Sequence, residues 1–167
     1  MKEVITMPIG IIVPSDERKS LVIKEFHSLD DYQTVVGGWI EGISLGESSP
    51  SFFANDEAKL IGMEFNWRAT ICWWLHLFPD RTNDVLCGDV VLVGPTDEHG
   101  ETQNAPESLQ LLLLTPSTFV VEVKTHRETA WQRVPHLFAG YFDAASWGLD
   151  FAWRRLSIER IRVITTA

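Results

Sequence analysis

Three sets of side chains in this sequence have the types and spacing that chemistry asks for. Gly42-Ile43-Ser44-Leu45-Gly46 spells G-x-S-x-G, in which a serine on a tight strand-to-helix turn becomes a nucleophile. Arg160 and Arg162, two apart near the C-terminus, would project from one face of a strand and grip a phosphate or carboxylate with paired guanidinium forks. Five histidines and two cysteines are of the types that ligate metals or move protons.

Each set has a plainer reading. After Ser44 the chain runs Leu45-Gly46-Glu47-Ser48-Ser49-Pro50, which cannot launch the helix that a nucleophile elbow requires, whereas Trp39 to Leu45 alternates as a strand does. The pattern is also cheap: with Gly and Ser each about 7% of residues, roughly one random chain in twenty contains it. A serine hydrolase using Ser44 is therefore the alternative, not the leading expectation. His27, His76, His99, His126 and His136 show no H-x-x-x-H or H-E-x-x-H spacing, and Cys72 and Cys87 form no C-x-x-C, so no metal and no cofactor is expected. The two thiols are expected buried and reduced. Gly37-Gly38 stands before a strand, the reverse of a phosphate-binding turn. The plainer reading of Arg160 and Arg162 is an exposed strand face, or a sheet edge guarded against aggregation by charge.

The elements that must position these residues follow from pattern. Ile9 to Val13 and Leu21 to Phe26 are β-branched runs around a turn-rich stretch, which predicts a hairpin. Ser28 with Asp30 and Asp31 starts a helix over 29–36, and Gly37 ends it. Ser51 to Ala54 and Ala58 to Ile61 suggest a second hairpin, Asn66 a cap for a helix over 67–77, and Val85 to Val93 a strand interrupted by Gly88. Residues 95–106 are loop-forming in composition. Beyond them a short helical turn near 107–113, a strand Thr118 to Lys124, a helix over 137–156 and a strand Ile158 to Thr165 make a strand-helix-strand extension. Phe138, Phe142, Ala145, Leu149, Ala152 and Leu156 mark that helix's apolar face.

Together these predict one α+β domain over 1–167, a mixed, mainly antiparallel sheet with two or three helices packed on one face. Hydrophobic residues at 45% and charged residues at 22% fit a globular chain. No apolar run approaches the ~18 residues of a membrane span, and MKEVITMPIG lacks a secretory apolar region, so no membrane association is expected and a cytoplasmic location is. The net charge of −9 opposes duplex nucleic-acid binding. That charge is uneven: 7 basic and 18 acidic residues in 1–117 against 7 and 5 in 118–167. An acidic nucleic-acid mimic is one reading of the first part. Seven tryptophans are many; Trp73, Trp74, Trp131, Trp147 and Trp153 are expected to fill the core, with a partner or a homo-oligomer as the other way to bury them.

Val35-Val36-Gly37-Gly38-Trp39-Ile40-Glu41, Asn55 to Leu60, Asn66 with Arg68-Ala69-Thr70, and Gly88 to Gly94 occur in an order and spacing that resembles the family catalogued as domain of unknown function 3846. The resemblance covers residues 8–94. It implies a setting in actinobacteria, their phages and mobile elements, and brings no established activity or catalytic residues. Joined to the missing catalytic constellations, it leads to the expectation of a non-enzymatic binding protein, antagonising a host defence or regulatory system through a host protein or a small anionic ligand. Trp39, Glu41, Asn55, Lys59, Asn66 and Arg68 are the candidate binding residues of the family-like part; Arg160 and Arg162 are those of the extension.

Overall fold

The computed structural model describes residues 7–166, so the reading of MKEVITMPIG falls largely outside the described residues. Those residues form eight strands and four helices arranged in two antiparallel sheets. The α+β class therefore holds. The single mixed sheet becomes two sheets with no parallel pair, and the helix number exceeds the two or three expected. The chain divides into two compact units, residues 1–67 with 85–110, and residues 68–84 with 111–167.

The first unit is a five-stranded sheet of order β2-β1-β5-β4-β3, with β1 Ile9–Val13, β2 Val22–Glu25, β3 Ile40–Ser44, β4 Ser51–Asn55 and β5 Val90–Val93. Strand β5 lies at the centre, bonded to β1 and β4, and its three valines and one leucine are all fully buried. A continuous apolar run is what a strand covered on both faces needs. Helix α1, Leu29–Val36, packs on β4 and β5 and brings Tyr32 into the core. There the Tyr32 ring stacks on Phe26 at 4.3 Å and meets Phe53 edge-on at 5.0 Å. Ser28 precedes α1 as foreseen, but its side chain makes no capping bond; Asp31 instead accepts from the His27 amide at 2.7 Å. Gly37 closes the helix at φ 78°, a conformation that side chains with a Cβ resist.

Two buried asparagines tie this unit together. The Asn66 carboxamide, fully buried, donates to the carbonyls of Val13 at 2.8 Å and Gly88 at 2.9 Å, while its own amide donates to Leu86. Asn55 donates from Nδ2 to Val36 at 3.2 Å and accepts from the Glu57 amide at 2.8 Å. This last bond corrects one expectation: Ala58 to Ile61 is not the return arm of a hairpin, because Asn55 turns the chain at once and residues 56–62 coil through successive turns. The strand expected from Val85 begins only at Val90. Gly88, at φ 76°, takes a backbone conformation no strand uses, and a Cβ there would lie 2.7 Å from the Met63 sulfur.

Residues 95–106 are closed on themselves. The Asp97 carboxylate accepts from the amides of His99 and Glu101 and from Gln103 Nε2, and Gly94 donates to Gln103 at the base.

The second unit is a three-stranded sheet of order β7-β6-β8, with β6 Phe119–Thr125, β7 Gln132–Arg133 and β8 Ile158–Thr165. The strand-helix-strand extension thus builds its own sheet instead of joining the first. Helix α4, Tyr141–Trp153, lies on one face, presenting Ala144, Ala145, Gly148, Leu149 and Ala152 to Val121, Val123 and Val163. A Cβ on Gly148 would stand 3.0 Å from both Ile161 and Val121, so helix and sheet are in close contact. The helix is shorter than the 137–156 expected. Phe138 bridges Phe119 as extended backbone, and Leu156 lies past the helix end, 96% exposed. Helix α2, Trp67–Leu77, supplies Leu75, Ile71 and Trp74 to this core. The short helix α3, Glu107–Leu114, supplies Leu112 and Leu113.

Asn66→Ala should therefore cost about 2–4 kcal/mol of unfolding free energy, two hydrogen bonds plus two stranded carbonyls. Trp39→Ala, on a 71% exposed side chain, should change it by less than about 0.5 kcal/mol. Urea denaturation followed by circular dichroism measures both.

Candidate functional site

The period of two along β6 decides which side chains leave the core. Val121 and Val123 point under α4, so Glu122 and Lys124 must point the other way. Register with the neighbouring strands does the rest: Glu122 lies opposite Arg162 on β8 and Arg133 on β7, and Lys124 lies opposite Arg160. Four cations and one carboxylate thus share the outer face of the second sheet, a formal balance of +3.

Glu122 is the anchor of this face. It is 8% exposed, and its Oε1 accepts from Arg162 Nε at 2.9 Å and Nη2 at 2.7 Å, while Arg133 Nε stands 3.7 Å from Oε2. A carboxylate this deep is tolerable because two guanidiniums attend it. Among the described residues no carboxylate pairs with Lys124 or Arg160; Glu159 turns to His126 at 3.9 Å. Like charges directly opposite across a strand pair repel. Trp131 draws them together instead: its ring centroid lies 4.1 Å from Arg162, 5.6 Å from Arg160 and 5.8 Å from Lys124. Trp131 is therefore no core residue, contrary to the expectation that grouped it with Trp73, Trp74, Trp147 and Trp153. The other four pack in or against the apolar cluster of the second unit or, for Trp73, are 9% exposed.

The expected pair, Arg160 and Arg162, is on one face as the spacing implied. Of the six residues of the family-like part, two serve the backbone. Asn55 and Asn66 spend their carboxamides on backbone carbonyls and amides, as scaffold. Trp39, Glu41 and Lys59 are exposed, and Arg68 is buried in the second unit with its guanidinium 6.0 Å from the Phe142 ring. Sequence reasoning missed Glu122, Lys124, Trp131 and Arg133. The signal for Glu122 and Lys124 was present, since V-V-E-V-K interleaves charge with valine, but the register that sets them beside Arg160 and Arg162 is not written in either strand alone.

Ser44 is the last residue of β3, and the chain turns from it directly into β4, giving strand-turn-strand where an elbow needs a helix. Its Oγ donates to the Gly46 carbonyl at 3.1 Å and accepts from the Gly46 amide at 3.2 Å.

One buried titratable cluster lies in the second unit. Burial pushes the Cys72 thiol up to about 12, against a hydrogen bond with the Tyr141 hydroxyl that pulls the other way. Burial also raises Tyr141 well above its ordinary range, helped by the nearby Cys72. His76 is lowered by burial, although its Nδ1 lies 2.8 Å from the Cys72 carbonyl. These are inert, neutral groups at physiological pH; a reactive thiol needs the opposite shift. Cys87 is free and partly exposed. Among the described residues no three of His, Cys, Asp and Glu gather as a metal site would require, and no helix is long and apolar enough to cross a membrane.

The fold and this geometry define an α+β protein of two antiparallel sheets with a cationic group on the outer face of the smaller one. A family model described as a domain of unknown function, DUF3846, matches residues 9–115, and the chain belongs to that family. The match reaches 21 residues beyond the 94 at which the sequence resemblance ended, and it stops before β6, so the basic face lies wholly outside it. No curated protein and no solved structure matches the chain.

Stability should fall at both ends of the pH range. His76, held neutral, contributes fully above its ordinary value near 6.5, and that contribution is lost as pH falls through its lower folded value. Cys72 contributes fully below about 9, and its contribution is lost as pH rises towards about 12. Melting temperature measured from pH 5 to 10 should trace this dome, and His76→Gln should flatten the limb below about pH 6.5.

Proposed function

We propose that this chain is a non-enzymatic binding protein of a phage or mobile element, acting in the cytoplasm. Its outer β6-β8 face takes the acidic surface of a host protein. The observation that carries this reading is the juxtaposition of Lys124 and Arg160, cross-strand neighbours of like charge without a carboxylate, beside Trp131. Such an arrangement costs stability in the free protein and is relieved by an incoming anion. The three strands also span about 10 Å from β7 to β8, a breadth that suits a protein surface better than a small molecule. An aromatic ring among arginines is the composition found at binding hot spots. Ser44, held by both polar groups of Gly46, gives no support to the hydrolase alternative. The family resemblance supplies the mobile-element setting, and antagonism of a host defence or regulatory system is the form this binding would take.

A second reading has its own observation. The first unit carries 5 basic and 16 acidic residues, a balance of −11, against 9 and 7 in the second, a balance of +2. A surface of that sign would mimic nucleic acid towards a basic partner.

The test is capture of host proteins by the full chain and by a Lys124→Glu, Arg160→Glu variant. Neither residue is engaged with Glu122, so the variant should melt within a few degrees of the parent. Under the leading reading the variant loses the captured partner by more than about tenfold, and that partner is acidic. A partner that is basic, and that binds the variant equally well, would sink the leading reading and favour the mimic.

A further inference from the structure

Apart from the outer sheet face, the second unit has an open cleft of about 210 Å³ between the end of α2 and the end of α4. Phe78, Trp153 and Leu156 give it apolar walls, and Arg81, Arg155 and His126 give it charge. No carboxylate lines it. Both arginines are held in place without being satisfied. Arg81 lies 4.8 Å from the Trp153 ring centroid and donates one N–H to the Trp153 carbonyl at 3.3 Å. Arg155 lies 3.6 Å from the Phe151 ring centroid and donates one N–H to the Phe151 carbonyl at 3.0 Å. A guanidinium has five N–H donors, so most of each fork remains available to a ligand. The neighbouring Arg154, by contrast, is spent on Asp150 at 3.1 Å.

From this geometry we infer a second binding site, for a small molecule bearing a phosphate group, with the phosphate held between Arg81 and Arg155. Stacking on aromatic rings has already removed much of the rotational freedom that an arginine loses on binding, and the planar fork matches the oxygens of a phosphate. The volume of about 210 Å³ holds a phosphate with room for a further small group. The remainder of the ligand has a place to go: a second hollow of about 470 Å³ shares His126 and Leu156 with the first and adds Thr125, Arg127, Glu128 and Ser157. Its one carboxylate, Glu128, and its hydroxyls are suited to hydrogen-bonding a polar, uncharged portion such as a sugar. The exposed Leu156 side chain stands where the two hollows meet. This inference is independent of the host-protein reading, because none of Lys124, Arg160, Arg162 and Trp131 lines either hollow.

Inorganic pyrophosphate is the probe, titrated into isotope-labelled full-length protein at low ionic strength while amide and arginine Nε–H resonances are followed. The expected result is saturable shifts at Arg81, Arg155 and His126. Arg81→Gln with Arg155→Gln should weaken binding by more than about tenfold, and Lys124→Ala with Arg160→Ala should leave it unchanged. Each single Arg→Lys variant keeps the charge and loses the fork, and should weaken binding about threefold to tenfold with its melting temperature retained. No saturable shift in the parent would overturn the inference. So would affinity that survives both glutamines, or affinity that follows Lys124 and Arg160 instead.

Discussion

The outer face of the second sheet depends on one constraint, the burial of Val121 and Val123 beneath α4. A strand offers only two sides. Once the valines and the small residues of α4 claim one side, every charged residue of β6 is committed to the other, and the antiparallel register brings the cations of β7 and β8 beside it. Slipping β6 by one residue would drive Glu122 and Lys124 into an apolar core, so hydrophobic packing fixes the charged surface far more firmly than the charges themselves do. Glu122 then serves a local purpose. It pairs with two of the arginines, offsetting one of their two charges, and among the described residues it leaves Lys124 and Arg160 without a carboxylate.

The first unit follows a different logic. Its centre, β5, is apolar throughout, and polar order comes from two carboxamides. Asn66 gathers the end of β1 and the approach to β5, and Asn55 gathers the end of α1 and the turn after β4. The segments by which the sequence resembles its family are largely these junctions. What the family pattern records in this chain is accordingly the means of joining strands, and a polar residue in such a pattern is no pointer to a ligand when its donors are already spent on backbone.

Local signals in the sequence were sound where a single segment decides the outcome. The β1-β2 hairpin, the helix from Leu29 closed by Gly37, the helix from Trp67 and the last two long strands could all be seen in periodicity and end signals, and so could an interruption at Gly88. Failures came where distant segments decide. Ala58 to Ile61 has strand-like composition, but the Asn55 side chain wins the backbone two residues on. Nothing in β6 or β8 declares that they pair with each other and not with the first sheet. Trp131 looks like any core tryptophan until the strands on either side are aligned, at which point three cations surround it. The candidate site was half legible for the same reason: Arg160 and Arg162 are neighbours on one strand, whereas Glu122, Lys124 and Arg133 reach them only across hydrogen bonds.

The contact between Met63 and Gly88 has a consequence for how this protein ages. The thioether sits where even a methyl group on Gly88 would collide, at 2.7 Å, so the space around the sulfur is closed on that side. Oxidation to the sulfoxide would add a polar oxygen to a half-buried sulfur that Gly88 hems in on one side. The Gly88 carbonyl is one of the two that Asn66 holds, so damage at one thioether would be felt directly at the amide staple that joins β1 to β5.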